Sequence, residues 1–114
     1  MIALEEAKNY LRVDSFYDDT LILSLLASAE ALCLDIARLS ANEWKALSEY
    51  SGEGCLTIRG EEKSHEEVLQ IRSLLRIAIL FTLGYLYEHR EEADHHDLTL
   101  TLRNLLFSIR EGVL

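Results

Sequence analysis

Proline is absent from the 114-residue chain, and glycine is scarce. Without proline, no helix is kinked or stopped by a missing backbone donor, which favours long uninterrupted helices. Three of the five glycines, Gly52, Gly54 and Gly60, crowd into one central segment that we interpret as a loop. Long linkers, internal repeats and low-complexity segments are lacking too, so we interpret residues 1–114 as one domain.

Cysteine is limited to Cys33 and Cys55, which form neither a C-x-x-C pair nor a disulfide framework. Cys33 falls on the apolar side of a predicted helix, so we interpret it as a small buried side chain. The first eleven residues lack the basic and apolar regions of a signal peptide. We therefore expect synthesis in the cytoplasm, with both thiols reduced.

Basic residues are few: 11 Lys and Arg stand against 20 Asp and Glu, giving a net charge of −9. Binding to nucleic acid or to an anionic membrane requires a basic surface, so the composition argues against both functions. An acidic protein can still lie beside DNA that must slide past without sticking. The longest apolar run, Ile77–Tyr87, is shorter than the ~20 residues that span a bilayer, so no membrane contact is expected.

What the chain has in abundance is helical periodicity, which predicts an all-α fold. We expect a small helical bundle around one long central helix, the second half of which is apolar on every side. Such a helix must be surrounded by other helices or by neighbouring subunits. Gly84 inside it predicts the close approach of another helix. The predicted helices are 3–12, 20–39, 41–50, 64–92 and 102–111.

Helix starts are marked by side chains that satisfy free backbone donors. Two Ser-x-x-Glu patterns predict capping boxes, and an aspartate is expected to cap the second helix through its side chain. These residues are Ser40 with Glu43, Ser64 with Glu67, and Asp18 or Asp19.

A loop or short β-like segment is expected near residues 52–62. Cys55–Arg59 alternates like a strand, with Leu56 and Ile58 on one side. A lone strand cannot satisfy its backbone groups, so its partner must be another loop or another subunit. A further extended stretch is expected before the last helix, where three leucines alternate: Leu98, Leu100 and Leu102.

Histidines and carboxylates after the central helix raise the possibility of a metal site. A helix continued through His96 would place His89, Glu92 and His96 on one side, at a spacing that suits zinc. His95 lies beside them. The alternative, a solvated helix end, is favoured because no cysteine and no second histidine-rich segment lies nearby in sequence. We expect neither a metal nor another cofactor.

Catalytic motifs are lacking: the chain has no G-x-S-x-G, no phosphate-binding glycine loop and no H-E-x-x-H. Its paired carboxylates are adjacent in sequence, and neighbours on a helix do not face each other. We therefore predict that the protein is not an enzyme. A metal-dependent enzyme remains as an alternative that requires bound metal.

Three segments, in order, resemble the small helical head-to-tail connector proteins of tailed bacteriophages and prophages. The opening has a short helix ending in YLRVD, an acidic gap and a long helix rich in Leu, Ile and Ala. The central helix ends in an aromatic-Glu-x-Arg signature, and the last helix carries Leu-Leu and then Arg. Residues 40–63 are not matched, and the proline that often opens the last helix is absent. The signature residues here are Tyr87, Glu88, Arg90, Leu105, Leu106 and Arg110.

The resemblance implies a non-enzymatic virion protein that forms a ring below the portal. DNA passes through such a ring, and the implied partners are further copies of the chain, the portal protein and tail-side connector proteins. The signature residues become candidate subunit contacts. Carboxylates lining the channel would repel the phosphates of DNA. The alternative function is a small helical adaptor that regulates a partner protein.

Overall fold

A computed structural model of the chain describes residues 1–89 and 96–111. Most of the chain is helical, which confirms the predicted all-α class. The elements, in order, are α1 (Leu4–Leu11), α2 (Asp19–Ile36), α3 (Ala41–Ser48), β1 (Leu56–Ile58), β2 (Glu61–Lys63), α4 (His65–Glu88), α5 (His96–Leu105) and α6 (Phe107–Arg110).

The long helix α4 is the centre of the fold, because α1, α2, α3 and α5 all pack against it. Buried side chains recur along α4 at every third or fourth position, which marks one continuous apolar side. α2 contributes its own buried stripe to the same core, and α5 adds two leucines. The buried residues of these helices include Val68, Ile71, Leu75, Ile79 and Leu83 from α4, Ile22, Leu26, Ala29 and Cys33 from α2, and Leu98 and Leu102 from α5.

Both predicted capping boxes are confirmed. Ser40 Oγ accepts from the backbone N–H of Glu43 at 3.1 Å, and the Glu43 carboxylate accepts from the Ser40 N–H at 2.8 Å. Ser64 and Glu67 repeat the arrangement at 3.3 and 3.2 Å. These reciprocal bonds satisfy donors that the first turn of a helix leaves free. They therefore set the starts of α3 and α4.

The predicted side-chain cap of α2 is wrong. Asp18 occupies the cap position but forms no capping hydrogen bond. Its carboxylate instead accepts from the Tyr87 hydroxyl at 2.9 Å, and Asp19 pairs with Lys8 at 2.9 Å. Both aspartates therefore contact residues distant in sequence instead of capping α2.

The Glu43 cap predicts a loss of stability in acid. Burial raises the pKa of Glu43, but hydrogen bonds from the backbone of Ser40 and Arg59 outweigh it and hold the pKa below its ordinary value. A depressed pKa in the folded state stabilises the fold above the unfolded-state pKa of ~4.3, and this contribution disappears as pH falls further. Glu43→Gln keeps one of the two acceptor oxygens and does not titrate.

We therefore expect wild type to exceed Glu43→Gln in unfolding free energy near neutral pH, with the difference shrinking below about pH 4. Urea unfolding of both proteins from pH 3 to 7 measures this difference. A difference that is independent of pH would contradict the role given to the Glu43 carboxylate.

The predicted strand is observed, and its partner is the segment that follows it. β1 and β2 form an antiparallel hairpin with Leu56 opposite Lys63 and Ile58 opposite Glu61. Arg59 and Gly60 connect the strands with φ of 54° and 78°, as a tight two-residue turn requires. Of the two alternatives for the partner, another loop or another subunit, the structure shows the first.

Three features after the middle of α4 differ from the sequence-based prediction. α4 ends at Glu88 rather than residue 92, because His89 leaves the helical conformation with φ −118° and ψ 42°. The alternating leucines 98, 100 and 102 lie in the helix α5 rather than in an extended stretch. The predicted last helix is split into α5 and α6 at Leu106. Leu98 and Leu102 satisfy helical and strand spacing equally over so short a run.

α4 is long and apolar enough, by length and composition, to cross a bilayer. Core helices of soluble proteins meet the same criterion. The apolar character of α4 is explained in part by the helices that pack against it within the chain. The absence of membrane contact stays a prediction.

Candidate subunit-contact surfaces

The signature at the end of α4 holds this helix against the start of α2. The hydroxyl of half-buried Tyr87 donates to the Asp18 carboxylate at 2.9 Å, across 69 positions of sequence. Glu88, the last residue of α4, is exposed. Arg90, the third signature residue of this segment, lies outside the described residues.

The signature leucines of the last helices lie in or against the core, and Arg110 contacts the other end of α2. Leu106 is completely buried and Leu105 packs against the core. Arg110 donates to the backbone oxygen of Ile36 at 3.4 Å and pairs with Glu111 at 3.5 Å. The structure therefore does not bring Tyr87 and Arg110 into one cluster, since their partners lie ~27 Å apart along α2. Their role as subunit contacts stays a prediction.

One side of α4 is not covered by the other helices of the chain, so of the two predicted coverings only a neighbouring subunit could surround the helix completely. Leu69, Ile77 and Phe81 are exposed by 42%, 56% and 40%. With exposed Ser73 they form a line of residues spaced by four, one helical turn apart. We call Leu69, Ser73, Ile77 and Phe81 the α4 outer face.

α1 closes one end of this face, where the predicted close approach at Gly84 is confirmed. A Cβ atom at Gly84 would lie 3.2 Å from Cε1 of Tyr10. Glycine thus lets the Tyr10 ring lie against the α4 backbone. The groove at this point is lined by Tyr10, Leu11, Arg12, Phe81, Gly84, Tyr85, Tyr87 and Glu88.

α2 also has an exposed side that lacks charge, and sequence reasoning missed it. Residues 20–29 contain no ionisable side chain. Ser24, Ala27, Ser28 and Ala31 are all exposed there, and we call these four residues the α2 outer face. Small and uncharged residues carry no periodic hydrophobic signal. The sequence feature that could have revealed this face is the run of ten residues without charge, in a chain with 27% charged residues.

The structure does not form the helix needed for the histidine metal site. α4 ends at Glu88 and α5 begins at His96, so His89 and His96 do not lie on one continuous helix. Glu92 and His95 lie outside the described residues. Among residues 1–89 and 96–111, no group of three His, Cys, Asp or Glu side chains is placed to hold a metal ion.

The two cysteines differ in environment. Burial raises the pKa of the Cys33 thiol to about 11, and its Sγ lies 3.6 Å from Thr82 Oγ1. A thiol with so high a pKa forms little nucleophilic thiolate near neutral pH. Cys33 is therefore a core residue, as the sequence predicted, whereas Cys55 is exposed.

Comparison with known protein families identifies the family of the chain. The family model of the phage gp6-like head-tail connector proteins matches residues 1–113, and the chain belongs to this family. No curated protein and no solved structure matches it. The resemblance seen in three segments is thereby confirmed, and the match extends through residues 40–63. Membership makes the protein a structural component of the phage virion.

Proposed function

We propose that the protein is one subunit of a homo-oligomeric ring below the portal, through which DNA passes. The observation that carries this proposal is the family match over residues 1–113. Its partners are further copies of the chain, the portal protein and tail-side connector proteins. In this proposal residues 1–114 form one domain, made in the host cytoplasm, that has no enzymatic activity.

The two outer faces support self-association. Large apolar side chains such as Ile77 and Phe81, exposed side by side on one helix, are unfavourable in water and mark surfaces that neighbours cover. The proposed ring supplies such neighbours.

The charge of the chain supports passage of DNA without adhesion. A net charge of −9 per subunit adds up around a ring, and carboxylates that face the channel repel phosphates. Several exposed carboxylates are grouped on the hairpin and the first turn of α4. These are Glu61, Glu62 and Glu66.

Assembly of the purified protein tests this function. Light scattering from low to high concentration is expected to show a discrete species many times the 13.0 kDa subunit mass, with a central channel in electron micrographs. The same measurement is made with portal protein added, because the portal can act as the template.

A second experiment uses phage that lack the protein. We expect filled heads that remain without tails, and restored infectivity when the protein is supplied. A protein that is monomeric both alone and with portal, in a phage that stays infectious without it, would overturn the proposal. That result would favour a regulatory adaptor.

A further inference from the structure

We propose that neighbouring subunits meet head to tail, with the α4 outer face of one copy packed on the α2 outer face of the next. This inference rests on the proposed ring and identifies the surfaces that build it. It assigns the contact to residues outside the family signature.

From helical geometry we infer that the two faces point to different sides of the subunit. In α2, Ser24 and Ser28 follow the buried Ile22 and Leu26 by two positions, which is about 200° around a helix. In α4, Ile77 follows the buried Leu75 by the same interval. α2 and α4 pack together in one core, so their outer faces are turned away from each other.

Placement on different sides determines the kind of assembly. Two different faces that bind each other make a heterologous contact, which adds subunits head to tail and closes into a ring when the rotation permits. A contact of one face with itself would stop at a dimer. The proposed ring therefore requires two distinct faces, and the subunit presents two.

The faces are complementary in size. The α4 outer face carries the large side chains of Leu69, Ile77 and Phe81 and extends ~18 Å from the first to the last. The α2 outer face consists of two serines and two alanines, with the exposed Leu23 at its edge, one turn before Ala27. A second helix can therefore approach closely over the four small residues. Interaxial distances fall when the side chains at a helix contact are small.

The proposed ring makes a second copy of the chain the occupant, and the lack of charge on both faces permits this contact. Two subunits that each carry −9 repel one another, so they can pack only where no carboxylate is buried. Neither outer face contains an ionisable residue. Packing one on the other buries no charge at these positions, since the exposed Asp35 lies one turn beyond Ala31 at the edge of the face. A buried charge without water or a partner would be costly.

Two charged variants test the contact without disturbing the fold. Ile77→Glu blocks the α4 outer face and Ala27→Glu blocks the α2 outer face. Both positions are exposed, so circular dichroism and the melting temperature of the monomer, measured at low concentration, are expected to stay unchanged. Each variant alone is expected to assemble at least ~100-fold more weakly than wild type, because its contact would bury an unpaired charge.

An equimolar mixture of the two variants gives the decisive result. Each variant keeps the face that the other has lost, so the mixture is expected to form a pair with twice the 13.0 kDa subunit mass and nothing larger. Leu100→Glu on α5, where the side chain is 45% exposed and outside both faces, is the matched control. It should assemble like wild type.

Disulfide trapping supplies an independent measurement, on the free protein or on portal-bound subunits. In a Cys55→Ser background, Ile77→Cys with Ala27→Cys is expected to yield a ladder of linked oligomers. Ile77→Cys alone should yield none, and a linked dimer from it would show a face that binds itself.

The outcomes separate this inference from the proposed function. If wild type forms rings and both glutamate variants do so equally well, the assigned faces are wrong and the proposed function stands. If both variants are blocked but their mixture forms no pair, the contact is not head to tail. If wild type never assembles, alone or on the portal, the ring and these faces fail together.

Discussion

Replacing Leu75 with alanine is expected to lower the free energy of unfolding by about 3 kcal/mol. Leu75 lies at the middle of the buried side of α4 and is 0% exposed. Its removal forfeits the burial of the side chain and leaves a cavity that the surrounding helices fill only in part. Because a domain is stable by about 5–15 kcal/mol, one such change removes a large share of the total.

Denaturant unfolding of the monomer measures this loss. Leu69→Ala is the matched control, since it is the same substitution on the same helix at a side chain that is 42% exposed. We expect a cost of less than about 1 kcal/mol for the control. Similar costs at both positions would contradict the assignment of the buried side of α4.

Leu69→Ala also distinguishes folding from assembly. Leu69 belongs to the α4 outer face, so its truncation should weaken association of subunits while leaving the monomer nearly as stable as wild type. Leu75→Ala should destabilise the monomer without removing any contact between subunits, because its side chain is inaccessible to a neighbour.

Arg59→Ala is expected to cost about 2 kcal/mol, although Arg59 is a surface residue at the tip of the hairpin. Its guanidinium donates to the backbone oxygens of Ala37, Arg38 at 3.4 Å and Arg110 at 2.8 Å. Ala37 is the C-cap of α2, Arg38 follows it, and Arg110 is the last residue of α6. The dipole of α2 favours a cation at this end. One side chain therefore joins the hairpin to the ends of two helices.

Substitutions of Arg59 by lysine and by alanine distinguish the contribution of the positive charge from that of the guanidinium geometry. Arg59→Lys keeps the cation but lacks the planar fork that donates to several oxygens at once, so most of the loss should remain. The backbone φ of 54° at this residue strains lysine and alanine as much as arginine, and the comparison reports on the side chain.

Hydrogen exchange locates the effect of the Arg59 variants. Amides of α6 should exchange faster, because the carbonyl end of this helix loses its anchor. Arg103→Ala, a loss of one exposed positive charge on α5, serves as the control. Unchanged exchange in α6, or a cost equal to that of Arg103→Ala, would argue against the anchoring role.

In the proposed ring, the signature residues and the outer faces have different roles. Tyr87 fixes the start of α2 through Asp18, and Arg110 contacts the end of α2 at Ile36. α2 is thereby held at both ends, and its outer face is presented in one orientation. The signature would thus act on assembly by positioning the surface rather than by forming it.

Local chemistry alone determined the helices that begin with a capping box. Ser64 with Glu67 specified the start of α4, and the spacing of Ile22, Leu26, Ala29 and Cys33 specified the buried side of α2. These features depend on residues within one or two turns of each other, so the sequence shows them directly. The three-segment resemblance likewise predicted the family.

Tertiary structure decided what depends on distant residues. Asp18 is no helix cap because the Tyr87 hydroxyl, 69 positions away, occupies its carboxylate. Residues 77–87 are apolar all round, and periodicity could not tell which side remains open. Ile77 and Phe81 are exposed because α1, α2, α3 and α5 pack elsewhere on α4. The candidate subunit contact is therefore a property of the packed chain, since it consists of the surfaces that the other helices leave uncovered.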